Sequence, residues 1–597
     1  MIRYKKKIIL ITGGTGFIGS HLVEALVKKG YKVRCLVRNP NKLNYLRNLG
    51  VDFKDLGVDV VYGDITDRDS LLHAVKGVST VVHLAGVLGK WGVPDKIYWD
   101  VHVRGTKLLL EACINEGVKR FIYCSSAGVL GPIKNPPANE DWPYNPSNVY
   151  EETKAVAEKL VLSYKNKMAV TIIRPEFVYG PRDMHVLKLF DAIQKGKFFI
   201  IGNGQTLLHP TYISDVIQAF LLCLENEKSI GKIYLITGET PVKVIELSTI
   251  IAEELGVPPP IFRIPKWLAY MAASLSEMLA QMFNFEPLIT RSQVKFFTEN
   301  RAFDNSKAKY ELNYNPLPLR QGIRQTIRWY RQNGYLPVHL SFRNAYKLAL
   351  AEGEGLGTAY EYVVKQRIIK KAINKLGFPK NVLIAGLPEK YGFSLDFIYF
   401  FDAIGARLVI VDEREKKLDE FNNILYWLKS QELFVNCKLS TLRLDIINLH
   451  NLNKVFDFAI SCEVIQRLNK TDRIIYLKNL YSLAKNLILF APNAKNVAHA
   501  KISKLNTLYL NEIVNLCSKV NYMPVDYGYI DTPPFPPGLK WSNSRSKKRK
   551  VNSIILKVLF KFLNTWAIME KYIPKIILKN RSHMIYFVGK RRSDIDA

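Results

Sequence analysis

The feature that most constrains this chain is its opening. An apolar run, Lys7-Ile8-Ile9-Leu10-Ile11-Thr12, enters Gly13-Gly14-Thr15-Gly16-Phe17-Ile18-Gly19 and continues as a helical pattern from Ser20 to Lys29. Such a run suits a strand buried on both faces of a parallel sheet. Gly13 and Gly16 let the backbone turn and approach a pyrophosphate, with Thr15, Phe17 and Ile18 around it. Gly19 lets the helix close on the strand, and the phosphate charge meets the helix N-terminus. A second strand follows from Tyr31 to Val37. Strand, turn, helix and strand in that order point to a dinucleotide site.

The second strand ends at Arg38, with Lys42 four residues on. An acidic residue there suits a ribose 2′-hydroxyl, whereas a basic one suits a 2′-phosphate, so NADP(H) is favoured over NAD. Asp64, in Gly63-Asp64-Ile65, is placed to accept a hydrogen bond from the adenine amino group. Val81-Val82-His83-Leu84-Ala85-Gly86 reads as the fourth strand, and its exit, Leu84, Ala85 and Gly86, lies beneath the cofactor. His83 falls inside the strand and is expected to be a satisfied core histidine.

Tyr150-Glu151-Glu152-Thr153-Lys154 puts a phenol and an ammonium four residues apart, on one face of a helix. A neighbouring cation stabilises phenolate, so Tyr150 is expected to be more acidic than an ordinary tyrosine and to serve as an acid/base. Upstream, Phe121-Ile122-Tyr123-Cys124 reads as a strand with Ser125-Ser126 at its exit. A hydroxyl there can hold the substrate oxygen.

These motifs, with Arg174-Pro175-x-x-Val178-Tyr179-Gly180-Pro181, resemble the extended short-chain dehydrogenase/reductase superfamily over about residues 5 to 335. This is the NAD-dependent epimerase/dehydratase group, which includes dihydroflavonol-reductase-like and 3β-hydroxysteroid-dehydrogenase-like enzymes. The resemblance implies Ser126 as catalytic hydroxyl, Tyr150 as acid/base, Lys154 on the nicotinamide ribose, and Pro175 and Val178 beside the nicotinamide. His102 stands where the family carries an asparagine, in Val101-His102-Val103-Arg104-Gly105-Thr106. Gly202 to Asp215 lacks the arginine that grips a sugar-nucleotide diphosphate, and no Asp-Glu pair follows Ser126, as it does in the dehydratases. The expected activity is therefore hydride transfer between a nicotinamide and a secondary alcohol or ketone of a sterol-, flavonol- or glycoside-like substrate. Nucleotide-sugar epimerisation or dehydration, and a non-catalytic dinucleotide-binding scaffold, are the alternatives. His209 is open between substrate contact and structure. The stretch from Pro265 to Phe285 is open between a greasy pocket, a membrane-interface contact and core.

The second half alternates strand and helix again: Asn381 to Gly386, Ala406 to Asp412, Phe456 to Cys462 and Asn486 to Asn493. It resembles class I S-adenosylmethionine-dependent methyltransferases over about residues 355 to 593. The resemblance implies a second cofactor site at Gly386, Asp412 and Asp445. The first loop, Gly386-Leu387-Pro388-Glu389-Lys390-Tyr391-Gly392, is bulky where backbone should meet the cofactor, so a degenerate domain is expected.

The chain is thus expected to be α/β, with two doubly wound Rossmann-like domains, the first carrying a small α/β substrate lobe. The boundaries are 1–335, a helical linker 336–380, and 381–597. Lys plus Arg number 85 against 53 Asp plus Glu, a net charge of +32. Residues 540–597 hold 15 basic and 3 acidic side chains. Within an insertion at about 541–580, Lys547-Lys548-Arg549-Lys550 precedes an amphipathic helix with Ile554, Ile555, Val558, Leu559, Phe562, Leu563 and Trp566 on one side, suited to an anionic membrane surface. No nucleic-acid module accompanies the charge. Seven scattered cysteines without a C-x-x-C pair suggest neither a disulfide framework nor a metal site and fit a reducing cytoplasm. No leader or membrane span is read from the sequence. A homodimer acting on a small molecule, cytoplasmic or peripheral to a membrane, is expected.

Overall fold

Seven parallel strands form the sheet of the first unit in the computed structural model: β1 (Ile8–Thr12), β2 (Lys32–Val37), β3 (Asp59–Tyr62), β4 (Val78–His83), β5 (Arg120–Cys124), β6 (Ala169–Pro175) and β7 (Ile233–Ile236). Their order is β7-β6-β5-β4-β1-β2-β3, and every pairing is parallel. The order reverses between β1 and β4, which opens a crevice at their carboxyl ends. The structure describes residues 7–389, 392–430, 437–449, 454–503, 505–535 and 553–592, with 434 and 452 besides.

Helix α1 (Phe17–Lys28) turns Gly19, Leu22, Val23 and Leu26 inward, an apolar stripe of helical period. A π-helical turn, Trp99–Arg104, leads into α2 (Gly105–Asn115). Helix α3 (Val149–Ser163) starts at Asn148, whose side chain accepts the Glu151 amide at 3.0 Å. Three two-stranded pairings build the small lobe: Val178–Tyr179 with Thr211–Tyr212, Leu207–Leu208 with Val242–Lys243, and Ile200–Ile201 with Arg263–Ile264. Helix α4 (Lys266–Phe283) packs there through Ala269 and Ala273 against Ile201 and Val294.

The chain divides at Tyr330 into two units. Residues 336–380, expected as a linker, instead form part of the second unit's core. Helices α5 (Phe342–Ala351) and α6 (Leu356–Leu376) bury Phe342, Leu348, Tyr360 and Ile369 in one cluster with Ile384 and Phe397. Their apolar faces are too broad to stand alone in water.

The second sheet comprises β8 (Asn381–Ala385), β9 (Arg407–Asp412), β10 (Leu439–Arg443), β11 (Phe456–Cys462), β12 (Ala484–Pro492), β13 (Tyr522–Ile530) and β14 (Met584–Arg591). Its order is β10-β9-β8-β11-β12-β14-β13, and β14 runs antiparallel to both neighbours. Helix α7 (Leu395–Ala403) follows β8, and α8 (Ser553–Met569) and α9 (Lys575–Arg581) lie between β13 and β14. The face expected on α8 is divided. Leu563 is buried and the Trp566 indole N–H donates to the Thr532 carbonyl at 2.9 Å, while Val558 and Phe562 are exposed. Lys390, Tyr391 and the basic run at 547–550 lie outside the described residues, as do the side chains of Ile554 and Ile555.

Candidate active site

At the carboxyl edge of the first sheet, Gly13 adopts φ +74°, and a Cβ there would lie 2.7 Å from the Ala85 amide nitrogen. A Cβ on Gly19 would lie 2.1 Å from the Gly13 carbonyl oxygen. The turn from β1 is therefore pressed against the Leu84-Ala85 exit of β4. Its helix begins at Phe17, so the first-turn amides of α1, including those of Phe17 and Ile18, have no carbonyl of their own helix to meet. A close backbone turn beside orphan helix amides fits a dinucleotide pyrophosphate. The Thr12 hydroxyl fixes this arrangement, accepting the Ala85 amide at 3.2 Å and meeting His83 Nδ1 at 2.7 Å. His83 Nε2 lies 2.9 Å from the Thr106 hydroxyl, and burial holds its pKa down at about 3. It is a core histidine.

Asp64, beyond β3, accepts the Thr66 amide and hydroxyl at 2.9 and 2.8 Å through one carboxylate oxygen. Its other oxygen lies 3.8 Å from the Arg38 guanidinium, which is largely exposed. Lys42 lies over the Tyr45 ring, and Ile65 packs beneath Gly105.

Tyr150 lies near Ser126, whose hydroxyl works to lower the phenol's pKa. Ser126 Oγ also accepts the Gly128 amide at 3.1 Å. One turn along α3, the Lys154 ammonium donates to the Cys124 carbonyl at 2.9 Å. Gly86 keeps the space open: a Cβ there would meet His102 Nε2 at 3.2 Å and Lys154 Nζ at 3.6 Å. Ser126, Tyr150 and Lys154 thus converge at the exits of β4 and β5, while Pro175 ends β6 on the same edge and Val178 follows in the lobe.

One expectation is corrected. Burial raises the Tyr150 pKa above the ordinary tyrosine value, with the Ser126 hydrogen bond pulling the other way. Burial also lowers that of Lys154, whose ammonium is turned to the Cys124 carbonyl rather than spent on the phenol.

His102, in the π-helical turn, is held at both ring nitrogens. Nε2 accepts the Val87 amide at 2.9 Å, which places the proton on Nδ1, 2.9 Å from the Thr153 hydroxyl. The ring meets that of Tyr150 edge-on with centroids 5.6 Å apart. Burial lowers its pKa to about 2, so it is a neutral brace between the β4 exit and α3.

Several groups around the site gave no sequence signal. Glu158 is fully buried and takes the Arg174 guanidinium at 2.6 Å, the Tyr144 hydroxyl at 2.8 Å and the Ser125 hydroxyl. Arg301 pairs with Glu151 at 2.7 Å. Beside them Glu176 is raised to about 7, chiefly by burial. Arg174 and Ser125 lie in short motifs, but their pairing with Glu158, and that of Arg301 with Glu151, joins residues distant in the chain. His209 is structural: its ring meets the Gly238 carbonyl at 3.1 Å and the Phe303 amide at 3.4 Å.

The site implied in the second unit is closed by its own side chains. The Asp412 carboxylate is fully buried and accepts the Leu387 amide at 2.7 Å, the Arg414 amide at 2.9 Å, and Arg414 Nε and Nη2 at 2.8 Å each. That occupies the four acceptor positions a carboxylate has, and none is left for a ribose. A Cβ on Gly386 would meet Val464 at 2.7 Å, and Asp445 is turned to the Ile447 amide and the Asn448 side chain. These residues do not fit S-adenosylmethionine. Among the described residues, no group of three or more His, Cys, Asp or Glu side chains is placed to hold a metal ion.

The model of the NAD dependent epimerase/dehydratase family matches residues 9–237. The chain is 33% identical over 356 residues to 3beta-hydroxysteroid-dehydrogenase/decarboxylase isoform 1 of Arabidopsis thaliana, covering 53% of this chain and 78% of the relative. It is 31% identical over 343 residues to the decarboxylating sterol-4-alpha-carboxylate 3-dehydrogenase of Mus musculus, covering 54% and 91%. Among solved structures, UDP-glucuronic acid 4-epimerase from Bacillus cereus, in complex with NAD, is similar at 27% identity, covering 55% of this chain and all of that one, with a TM-score of 0.44. The chain belongs to the NAD-dependent epimerase/dehydratase family, through its first unit, and is an enzyme of that family.

Proposed function

We propose that the first unit oxidises a secondary alcohol of an apolar, sterol-like substrate to a ketone, or runs the reverse reduction, with NADP(H) as partner. The observation that carries this reading is Tyr150 near Ser126 and one helical turn from Lys154, at the edge where the glycine turn lies. When bound, the nicotinamide supplies the hydride acceptor or donor. The protein's share is to orient the substrate oxygen and move its proton. Ser126 holds that oxygen by a hydrogen bond, and Tyr150 takes the hydroxyl proton on oxidation or returns it on reduction. Lys154 would hold the nicotinamide ribose, and its charge favours the phenolate as it forms.

Two features favour an apolar substrate. The relatives include enzymes named for 3β-hydroxysteroids and sterol carboxylates. Where a nucleotide-sugar enzyme would offer a guanidinium, this chain has buried Leu208 and a His209 committed to Gly238 and Phe303. The 2′-phosphate preference rests on exposed Arg38, whose 3.8 Å approach to Asp64 is loose enough to yield to a phosphate.

The test follows nicotinamide absorbance with a sterol 3β-alcohol. Tyr150→Phe is expected to abolish turnover and preserve dinucleotide affinity, and unchanged turnover rejects the assignment. Net cofactor reduction is expected, whereas an epimerase would show none. Arg38→Asp should turn the preference from NADP to NAD, and no change in that ratio rejects the 2′-phosphate reading.

A further inference from the structure

The reacting hydroxyls have a polar neighbour for which hydride and proton transfer have no use. Glu176, directly after Pro175 at the end of β6, is 4% exposed, yet its carboxylate meets no hydrogen-bond donor among the described residues. Its charge reaches the Tyr150 phenol. A carboxylate buried without a donor is costly, and such a group is found where a ligand supplies the missing partner. The next residue, Phe177, holds a left-handed backbone at φ +36°, a strained conformation for a bulky side chain and one that clusters at binding sites.

Arg301 offers the complementary half. Its Nη2 donates to Glu151 Oε1 at 2.7 Å, while Nε is buried and has no partner. Glu151 is otherwise occupied, its second oxygen accepting the Ser147 amide and hydroxyl at 2.8 Å each. The ion pair adjoins the reacting centre, since a Cβ on Gly128 would lie 3.1 Å from Glu151 Oε1 and 3.2 Å from Ser126 Oγ. Aromatic rings link the two halves. Phe177 meets Phe296 edge-on with centroids 5.2 Å apart, and the Arg301 guanidinium lies over the Phe296 ring at 5.7 Å.

We propose that Glu176 and Arg301 receive a second hydroxyl of the substrate, carried beside the carbinol that Tyr150 deprotonates, and that Glu176 keeps a carboxylate out of the same place. The inference rests on the sterol-alcohol reading above and narrows its substrate class to a diol. A hydroxyl answers both partners, donating to Glu176 and accepting from Arg301. A carboxylate only accepts. Glu151 and Glu176 already stand against the one guanidinium, so a further negative charge would meet repulsion where little water screens it.

The experiment compares sterol 3β-alcohols that differ only at the neighbouring carbon, which bears a 4α-hydroxymethyl, a 4α-methyl or a 4α-carboxylate group. The full chain is assayed with NADP and with NAD at about pH 8, where Glu176, raised to about 7, is ionised. For the parent, kcat/KM of the hydroxymethyl sterol should exceed that of the other two by at least about tenfold, the worth of a hydrogen bond to a charged acceptor. Glu176→Gln, nearly the same shape, should lower the hydroxymethyl-to-carboxylate ratio of kcat/KM by at least about tenfold, chiefly through KM. A parent that prefers the carboxylate or the methyl sterol, or that turns over all of them alike, overturns the proposal without any variant. A loss in Glu176→Gln shared equally by the substrates marks a structural role and also overturns it. Turnover of none of the sterols rejects the sterol reading and this inference with it, whereas turnover without the stated preference rejects the inference alone.

Discussion

The two units set parallel strand ends along one edge, with the strand order reversing at the middle, and they use that edge in opposite ways. In the first, glycines and small residues keep the exits of β1 and β4 close and open, and Ser126, Tyr150 and Lys154 gather beside them. In the second, the Gly386 exit abuts Val464, Asp412 is saturated by Arg414, and α6 inserts Lys365 toward Glu361 at 2.9 Å and Asp396 at 3.5 Å. Glu463, directly after β11, holds a left-handed backbone at φ +52°. One of its carboxylate oxygens has no hydrogen-bond partner among the described residues. The same order of five parallel strands, β3-β2-β1-β4-β5 in one sheet and β10-β9-β8-β11-β12 in the other, can thus leave a crevice or fill it, and what decides is side-chain volume at the strand exits and whether acceptors remain free.

The largest expected effect tests how the open edge is supported. Arg174→Met would leave the Glu158 carboxylate buried with hydroxyl partners alone, costing about 3–5 kcal/mol of stability. It should appear as a lower urea midpoint for the first unit, with the second unit's transition unmoved. Equal loss in both would contradict their independence.

A pH scan should read the buried ionisable groups of each unit. His21 and His83 are lowered to about 3, and His102 to about 2, chiefly by burial. They stay neutral when folded but take protons when unfolded, so the stability they lend is present above pH about 6.5 and lost as pH falls toward 3. Raised carboxylates run the other way. Burial raises Glu463 to about 8 and Asp396 and Glu352 to about 7 in the second unit, and Glu176 to about 7 in the first. These keep their protons when folded, so stability present below about pH 4 is lost as pH rises through 7 to 8. Glu463→Gln should therefore flatten the loss of stability of the second unit between pH 4 and 8, read by hydrogen exchange of its strand amides after correction for intrinsic rates, and an unchanged slope would refute this.

Glycine substitutions sharpen the same contrast. Gly19→Ala forces the phosphate turn to move and should weaken dinucleotide binding by about tenfold or more. Gly386→Ala should cost about 1–3 kcal/mol of stability through its φ of +89° and leave dinucleotide titration unchanged. The smallest effect is expected at His102. His102→Asn keeps an acceptor for the Val87 amide and should retain most turnover with an unshifted pH profile. His102→Phe loses both hydrogen bonds and should lower kcat about tenfold with KM little altered.

Local chemistry was legible in the sequence, and long-range pairing was not. The glycine turn, the Ser126 strand exit and the Tyr150–Lys154 spacing are contained in short segments, so their placement could be read directly. The open choice at His209 could not be resolved that way, because its partners Gly238 and Phe303 lie far along the chain. The expected acidity of Tyr150 assumed an ammonium free to face it, and the Cys124 carbonyl engages that ammonium instead. Helix α4 misleads in another way. Its composition suits a core, yet its buried positions are three alanines and Glu277, and its large apolar side chains Trp267, Met271, Met278 and Met282 are exposed.

The late position of β14 has a consequence for synthesis. Among the described residues, strand β13 pairs with no strand but β14 in the second sheet, and β12 keeps one side bare until β14 arrives. Two apolar strand edges therefore wait on the ribosome for a partner made more than fifty residues after β13, a period in which a chaperone or a stray strand could take its place.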